Sequence, residues 1–210
     1  MRAIRSIAWL LGLSLLFACS GGADRAPENT LQRGLQVGPE TLDPQRSRSS
    51  EAAEILRDLG EGLVGYSPSG ELVTAAAERW EVSADGLTWT FYLREGLRWS
   101  NGDAVSAQHF VAGMRRLVDP ATAAFYAEML IDVENAAAIV AGELPPGEHG
   151  VAAPDERTFV LRLERPIPYL LKLLTHPSTF PVHPPSLAEH GDGFARPGLF
   201  VSNGAYRLVD

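Results

Sequence analysis

Two hydrophobic periods alternate along this chain, and the switch between them limits the folds open to it. Leu87, Trp89, Phe91 and Leu93 recur at every second position, with Thr88, Thr90 and Tyr92 between them. That spacing puts one face of a strand into a core. The strand lies between two turn sequences, Ala84-Asp85-Gly86 and Arg94-Glu95-Gly96. Elsewhere the period is helical. Ala52, Ile55, Leu56 and Leu59 fall at i, i+3, i+4 and i+7, behind Ser50-Glu51 as capping hydroxyl and first-turn acid. Ser106 heads a second helix through Phe110, Val111, Met114, Leu117 and Val118, which Asp119-Pro120 ends.

The remaining segments are shorter. Residues 31–37 read as a first strand, and Tyr66-Ser67-Pro68-Ser69-Gly70 as a turn. Trp99 with Asn101-Gly102 reads as a short strand and turn. Alanine-rich stretches over 123–130 and 133–141 predict two helices, the second broken by Leu144-Pro145-Pro146-Gly147. Phe159, Leu161 and Leu163 mark another strand, residues 169–174 a short helix, and residues 175–185 a proline-rich irregular stretch. Asn203-Gly204 is a turn feeding a strand over 205–209, and a sequence that stops inside a strand reads as a truncated protein. Strands and helices mix without strict βαβ alternation, so the fold class is α/β with mixed α+β elements.

The N-terminus carries an address. Arg2 and Arg5 precede an apolar run over 7–17, which stops at Ala18-Cys19-Ser20-Gly21-Gly22. A charged start, a short apolar centre and a small-residue boundary make a secretory signal peptide over residues 1–18. Leu16-Phe17-Ala18-Cys19 resembles the lipobox of bacterial lipoproteins, which implies acylation of Cys19 and a tether over 19–29. The competing reading is ordinary secretion with a free thiol. Both export the protein. Cys19 is the single cysteine, so no disulfide is available and folding rests on core burial.

A net charge of −8 leaves no basic stripe for nucleic acid, and disfavours adhesion to anionic lipid by charge alone. Membrane attachment would come from the acyl chains. No His-Glu-x-x-His, cysteine pair, Gly-x-Ser-x-Gly, Walker or Gly-x-Gly-x-x-Gly pattern occurs, so nothing in the sequence calls for a metal, a cofactor or an enzyme. His109, His149, His176, His183 and His190 read as surface or loop residues, and Asp43 as a turn residue before its proline.

An ordered series of motifs remains: Glu40-Thr41-Leu42-Asp43-Pro44, Arg57-Asp58-Leu59-Gly60-Glu61-Gly62-Leu63, Ala77-Glu78-Arg79-Trp80, and Trp89-Thr90-Phe91-Tyr92-Leu93-Arg94. It continues through Trp99-Ser100-Asn101-Gly102-Asp103, Val118-Asp119-Pro120, Pro168-Tyr169-Leu170, His176-Pro177-Ser178-Thr179 and Asn203-Gly204-Ala205-Tyr206. In this order the chain resembles the extracytoplasmic solute-binding proteins of peptide ABC importers, in their oligopeptide-binding branch, over residues 30–210.

The resemblance implies a periplasmic-binding-protein-like fold of two lobes around a cleft. Residues 30–60 would begin the first lobe, 61–182 would form an inserted domain, and 183–210 would return to the first lobe. It implies a monomer that holds an extended oligopeptide by main-chain hydrogen bonds and delivers it to permease subunits. Arg48, Ser49 and Ser50 match the first-lobe backbone contacts; the other reading is a polar loop that only caps the helix. Tyr126 matches a cleft-facing tyrosine, or is a core aromatic. A dipeptide, haem, a nickel chelate or a sugar is an alternative ligand, and a lipid-anchored peptide sensor or chaperone an alternative role. Three departures stand out. Gly60 replaces an aromatic, His109 replaces the acid of a capping box, and Arg48 puts a cation near the cleft, where it would favour acidic peptides.

Overall fold

The structure, a computed structural model, describes residues 29–209. The signal segment over 1–18, Cys19 and the tether up to residue 28 lie outside the described residues. Residues 29–36 form no helix or strand, so the strand expected over 31–37 is absent. Extended sequence becomes a strand only with a ladder partner, and this segment has none in either sheet.

The first helix, α1 (Ser50–Leu59), buries Ala52, Leu56 and Leu59. Its cap is Ser49, one residue earlier than expected: the Ser49 hydroxyl accepts from Ala52 N at 3.2 Å. A hairpin of β1 (Val64–Tyr66) and β2 (Leu72–Thr74) follows, turning through Gly70 at φ +80°. Next come β3 (Ala77–Val82) and β4 (Thr88–Leu93), then α2 (Ala107–Val118). After α3 (Ala136–Val140) come β5 (Val151–Ala152) and β6 (Thr158–Arg162), then α4 (Leu170–Leu173) and α5 (Pro184–His190).

Strands β3, β4, β6 and β5 form, in that order, an antiparallel sheet. Period two in sequence becomes burial: Phe91 and Leu93 of β4 and Phe159 and Leu161 of β6 are all buried. Phe91 and Phe159 are cross-strand partners with ring centroids 6.2 Å apart. Phe110 of α2 meets Phe159 at 6.2 Å, so the helix lays its apolar stripe across the sheet. A second apolar cluster joins Leu56 and Leu59 of α1 to Val182, Phe194 and Phe200.

Several expectations are corrected. Residues 123–130 are not one helix. Ala123 is left-handed at φ 52°, and only a single 3-10 turn, Ala127–Leu130, follows. Alanine's propensity is a weak bias, and here it yields to packing of Tyr126, Met129 and Leu130 against the main core. The second alanine-rich stretch is helical only over α3, because Asn135 is left-handed at φ 64°.

Inside the supposedly irregular 175–185 lie a buried 3-10 turn, Pro177–Thr179, and the start of α5. Residues 205–209 are not a strand either. They run back along the end of α1, with Gly204 N donating to Leu59 O at 2.8 Å and Tyr206 N to Asp58 O at 3.2 Å. Gly60 and Gly62 flank the Phe180 ring, where a Cβ would stand 2.6 and 2.7 Å from ring carbons, so that ring leaves no room for a side chain at either position.

The histidines are not surface residues as a group. His149 and His183 are buried, and His109 and His176 are half-buried against the rings of Trp99 and Tyr126, tilted and edge-on respectively. His183 caps α5 through Nδ1, which accepts from Ser186 N at 3.2 Å, so its Nε2–H donates to Asp103 Oδ2 at 2.9 Å. His109 completes the capping box that seemed to lack an acid. Its Nδ1 accepts from Ser106 N at 3.2 Å and from Trp99 Nε1 at 3.0 Å.

Candidate functional site

The loop leading into α1 has no regular structure of its own, so side chains must hold it. Pro44 bars a helix before it, and Asp43 then folds a tight turn. Arg46 N and Ser47 N donate to Asp43 O at 3.2 and 2.9 Å, and Gln45 N to Asp43 Oδ1 at 3.1 Å. Asp43 is more than a turn residue, since it is only 2% exposed. Arg116, in the last turn of α2, meets it as a fork: Nη1 to Oδ1 and Nη2 to Oδ2, both at 2.6 Å. Nη1 also donates to Gln45 Oε1 at 2.9 Å. The amide of Gln45 then donates to Ser178 O and Phe180 O at 3.1 and 3.2 Å.

Gln45 and Ser47 are buried, but Arg48 and Ser50 come out into solvent. At this emergence Glu40 reaches across. Its Oε1 accepts from Arg48 N at 2.7 Å and from Ser49 N at 3.1 Å. Slight burial would raise the Glu40 pKa, but the Ser49 hydroxyl and these N–H groups outweigh it and bring it down to about 2. Two main-chain donors of the loop are thus already used. Ser50 N–H, at the first residue of α1, has no acceptor among the described residues.

The structure brings together the residues singled out from sequence. Tyr126 OH donates to Arg48 O at 3.4 Å. The Tyr126 ring lies edge-on to His176, centroids 4.5 Å apart, and Phe125, 62% exposed, stands edge-on to Tyr126 at 4.9 Å. His176 Nδ1 accepts from Ser178 N at 3.2 Å. Burial first, and the charge of Arg57 second, depress the His176 pKa, which favours a neutral ring.

Tyr126 thus meets Arg48, with the half-buried Ser49 and the exposed Ser50 next along the chain, an edge called the rim below, whereas Cys19 lies outside the described residues. Sequence reasoning missed Glu40, Gln45, Arg116 and His176. Glu40 and His176 stand inside the motif series, so a signal for them existed; the charge of Arg116 carried none. Among the described residues no cluster of histidine, cysteine, aspartate and glutamate could hold a metal ion, and no helix is long and apolar enough to cross a membrane.

The family model described as bacterial extracellular solute-binding proteins, family 5 Middle, matches residues 71–210. The probable deoxycholate-binding periplasmic protein YgiS of Escherichia coli (strain K12) is 40% identical over 97% of this chain and 39% of its own length. The periplasmic oligopeptide-binding protein OppA of Haemophilus influenzae is 42% identical over 82% of this chain and 32% of its own length.

Among solved structures, Haemophilus influenzae OppA in complex with RPPGFSPFR superposes with a TM-score of 0.80 at 43% identity, covering 82% of this chain and 34% of that one. The unliganded open form of the murein tripeptide-binding protein MppA superposes with a TM-score of 0.78 at 37% identity, covering 82% and 33%. The chain thus spans between about a third and two fifths of the length of these proteins. The mixed α/β architecture is that of the corresponding part of a periplasmic binding protein.

Proposed function

The chain belongs to the bacterial extracellular solute-binding proteins, family 5, and on that premise we propose that it forms the first wall of an oligopeptide receptor serving an ABC importer. The observation that carries this reading is the rim where Tyr126 OH meets Arg48 O beside the exposed Ser50. An extended guest lying along this rim would pair with main-chain groups, which accept any peptide sequence. Because Glu40 occupies Arg48 N and Ser49 N, Ser50 N–H is the donor left for it, and the Arg48 carbonyl can offer only the lone pair that Tyr126 OH does not use.

In this reading residues 30–60 and 183–210 belong to one lobe and 61–182 to an inserted domain. The second apolar cluster favours the pairing of the two lobe segments, since it joins Leu56 and Leu59 of α1 to Phe194, Ala195 and Phe200, with Val182 and Ala112 meeting it from the inserted segment. The family's export, together with the sequence around Cys19, supports a periplasmic protein tied to lipid by that cysteine, with permease subunits as partners and no catalytic role. Relatives with these printed functions are binding proteins.

A second reading takes deoxycholate as ligand, because the relative named for it matches 97% of the chain. Calorimetry on the protein in its complete native form separates the two. Binding of RPPGFSPFR and of unrelated peptides of similar length, lost when the peptide backbone is N-methylated, supports the first reading. Binding of deoxycholate with no peptide response replaces it with the second.

A further inference from the structure

We infer that Arg116 is a positioning residue for the ligand rim, an inference that rests on the receptor reading above. The loop over 43–47 has no ladder and no helix, and apart from Pro44 its buried side chains, Asp43, Gln45 and Ser47, are polar. Packing of the one apolar ring is non-directional and cannot by itself orient the loop. The Arg116 fork can. The side chains of Arg116 and Asp43 are 12% and 3% exposed, so the pair is largely dry and its planar geometry is demanding.

One guanidinium fixes two points of the loop, Asp43 and Gln45, and through the Gln45 amide ties both to Ser178 O and Phe180 O. Ser178 N in turn holds His176, whose ring backs Tyr126, whose hydroxyl reaches Arg48 O. These contacts link the arginine, step by step, to the main chain at Arg48.

The weakest of these links is the Tyr126–Arg48 hydrogen bond, which at 3.4 Å is longer than the usual O–H···O range. A shift of the loop by about 1 Å relative to the 176–180 turn would break it and misplace the adjoining main chain. Lysine at 116 would keep the charge but could not span both oxygens of Asp43. Arg116 bonds to Asp43 and Gln45 and lies 5.4 Å from the Phe194 ring centroid, with no hydrogen bond to Arg48, Ser49, Ser50 or Tyr126 among the described residues, so its effect on a peptide would be indirect.

The test uses the protein in its complete native form with RPPGFSPFR as probe. Arg116→Lys, Arg116→Met and Gln45→Ala are compared with Leu161→Ala, a core truncation in β6 that touches neither Asp43 nor Gln45 through any hydrogen bond. The expected result is a peptide affinity weakened about tenfold or more in both Arg116 variants, with Leu161→Ala binding as wild type at an equal or larger loss of thermal stability. Faster amide exchange at Arg48 and Ser49 in Arg116→Lys, with the β4 amides following global stability, would locate the effect in the loop.

Arg116 variants that bind as well as Leu161→Ala at matched stability would overturn the inference, leaving Arg116 a structural residue only. If Arg116→Met does not fold, Arg116→Lys and Gln45→Ala decide by the same comparison. Wild-type protein that binds no peptide would instead refute the receptor reading.

Discussion

His149 should cost this protein stability, and increasingly so in acid. The imidazole follows a 3-10 turn, Pro146–Glu148, and precedes β5; it is 3% exposed, and neither Nδ1 nor Nε2 has a hydrogen-bond partner among the described residues. Burial first, and the charge of Arg115 second, push its pKa from 6.5 down to about 4. Between those two values the unfolded chain binds a proton that the folded chain refuses. Stability is therefore fully present above about pH 6.5, is lost as pH falls toward 4, and levels off below.

At about 1.4 kcal/mol per pH unit, that window is worth about 3 kcal/mol. His149→Leu removes the titration and two unsatisfied polar atoms. The latter contributes a further ~1–3 kcal/mol at neutral pH. Urea unfolding at pH 7, 5.5 and 4 measures both. The variant should be more stable at pH 7, and its loss between pH 7 and 4 should be smaller than that of wild type by about 3 kcal/mol. His109 and His176, whose pKa values are also depressed, first of all by burial, would leave a residual slope of the same sign. Identical pH slopes in the two proteins, or a less stable variant at pH 7, would refute the reasoning.

Three further predictions concern the packing and the rim. Protonating His109 would place a hydrogen on Nδ1, where Ser106 N and Trp99 Nε1 already donate; the Trp99 indole N–H resonance should therefore shift on acidification in wild type and stay still in His109→Asp. Gly113→Ala would drive a Cβ to 2.5 Å from Phe180 O, so denaturant unfolding should show a loss of about 1–3 kcal/mol. Arg48→Ala should lower affinity for acidic peptides by a few-fold, on the order of 1 kcal/mol for an exposed pair, and leave neutral peptides unchanged in calorimetry.

Sequence patterns recovered elements whose cause is local and periodic. The stripe through Phe110, Met114 and Leu117, and the alternation through Phe91 and Leu93, both describe one face meeting one core. Residues 123–130 lacked such a stripe; only alanine propensity spoke for a helix, and the left-handed Ala123 ended it. Residues 31–37 and 205–209 look extended because of composition, yet a strand is defined by a partner that the local sequence cannot name. Likewise, Pro146-Gly147-Glu148-His149-Gly150 reads as surface loop, and Gly147 and Glu148 are exposed, but the burial of His149 and Gly150 becomes visible only in the folded structure, with Arg115 of α2 nearby.

The rim divides the same way. Arg48, Ser49, Ser50 and Tyr126 were reached through an ordered resemblance, and the structure brings Arg48 and Tyr126 together across 78 residues. The Asp43–Arg116 pair also bridges distant positions, 73 residues apart. No spacing rule selects that arginine from its neighbour Arg115. Glu40 shows a subtler gap: a motif residue was seen, but not that its carboxylate consumes two of the main-chain donors expected for the ligand.

The most direct measurement is the amide spectrum of the complete native protein as RPPGFSPFR is added. Saturable shifts centred on Ser50 N–H, with Arg48, Ser49 and Tyr126 moving alongside, are the predicted result. Tight binding of the peptide with these four residues unmoved would contradict the account.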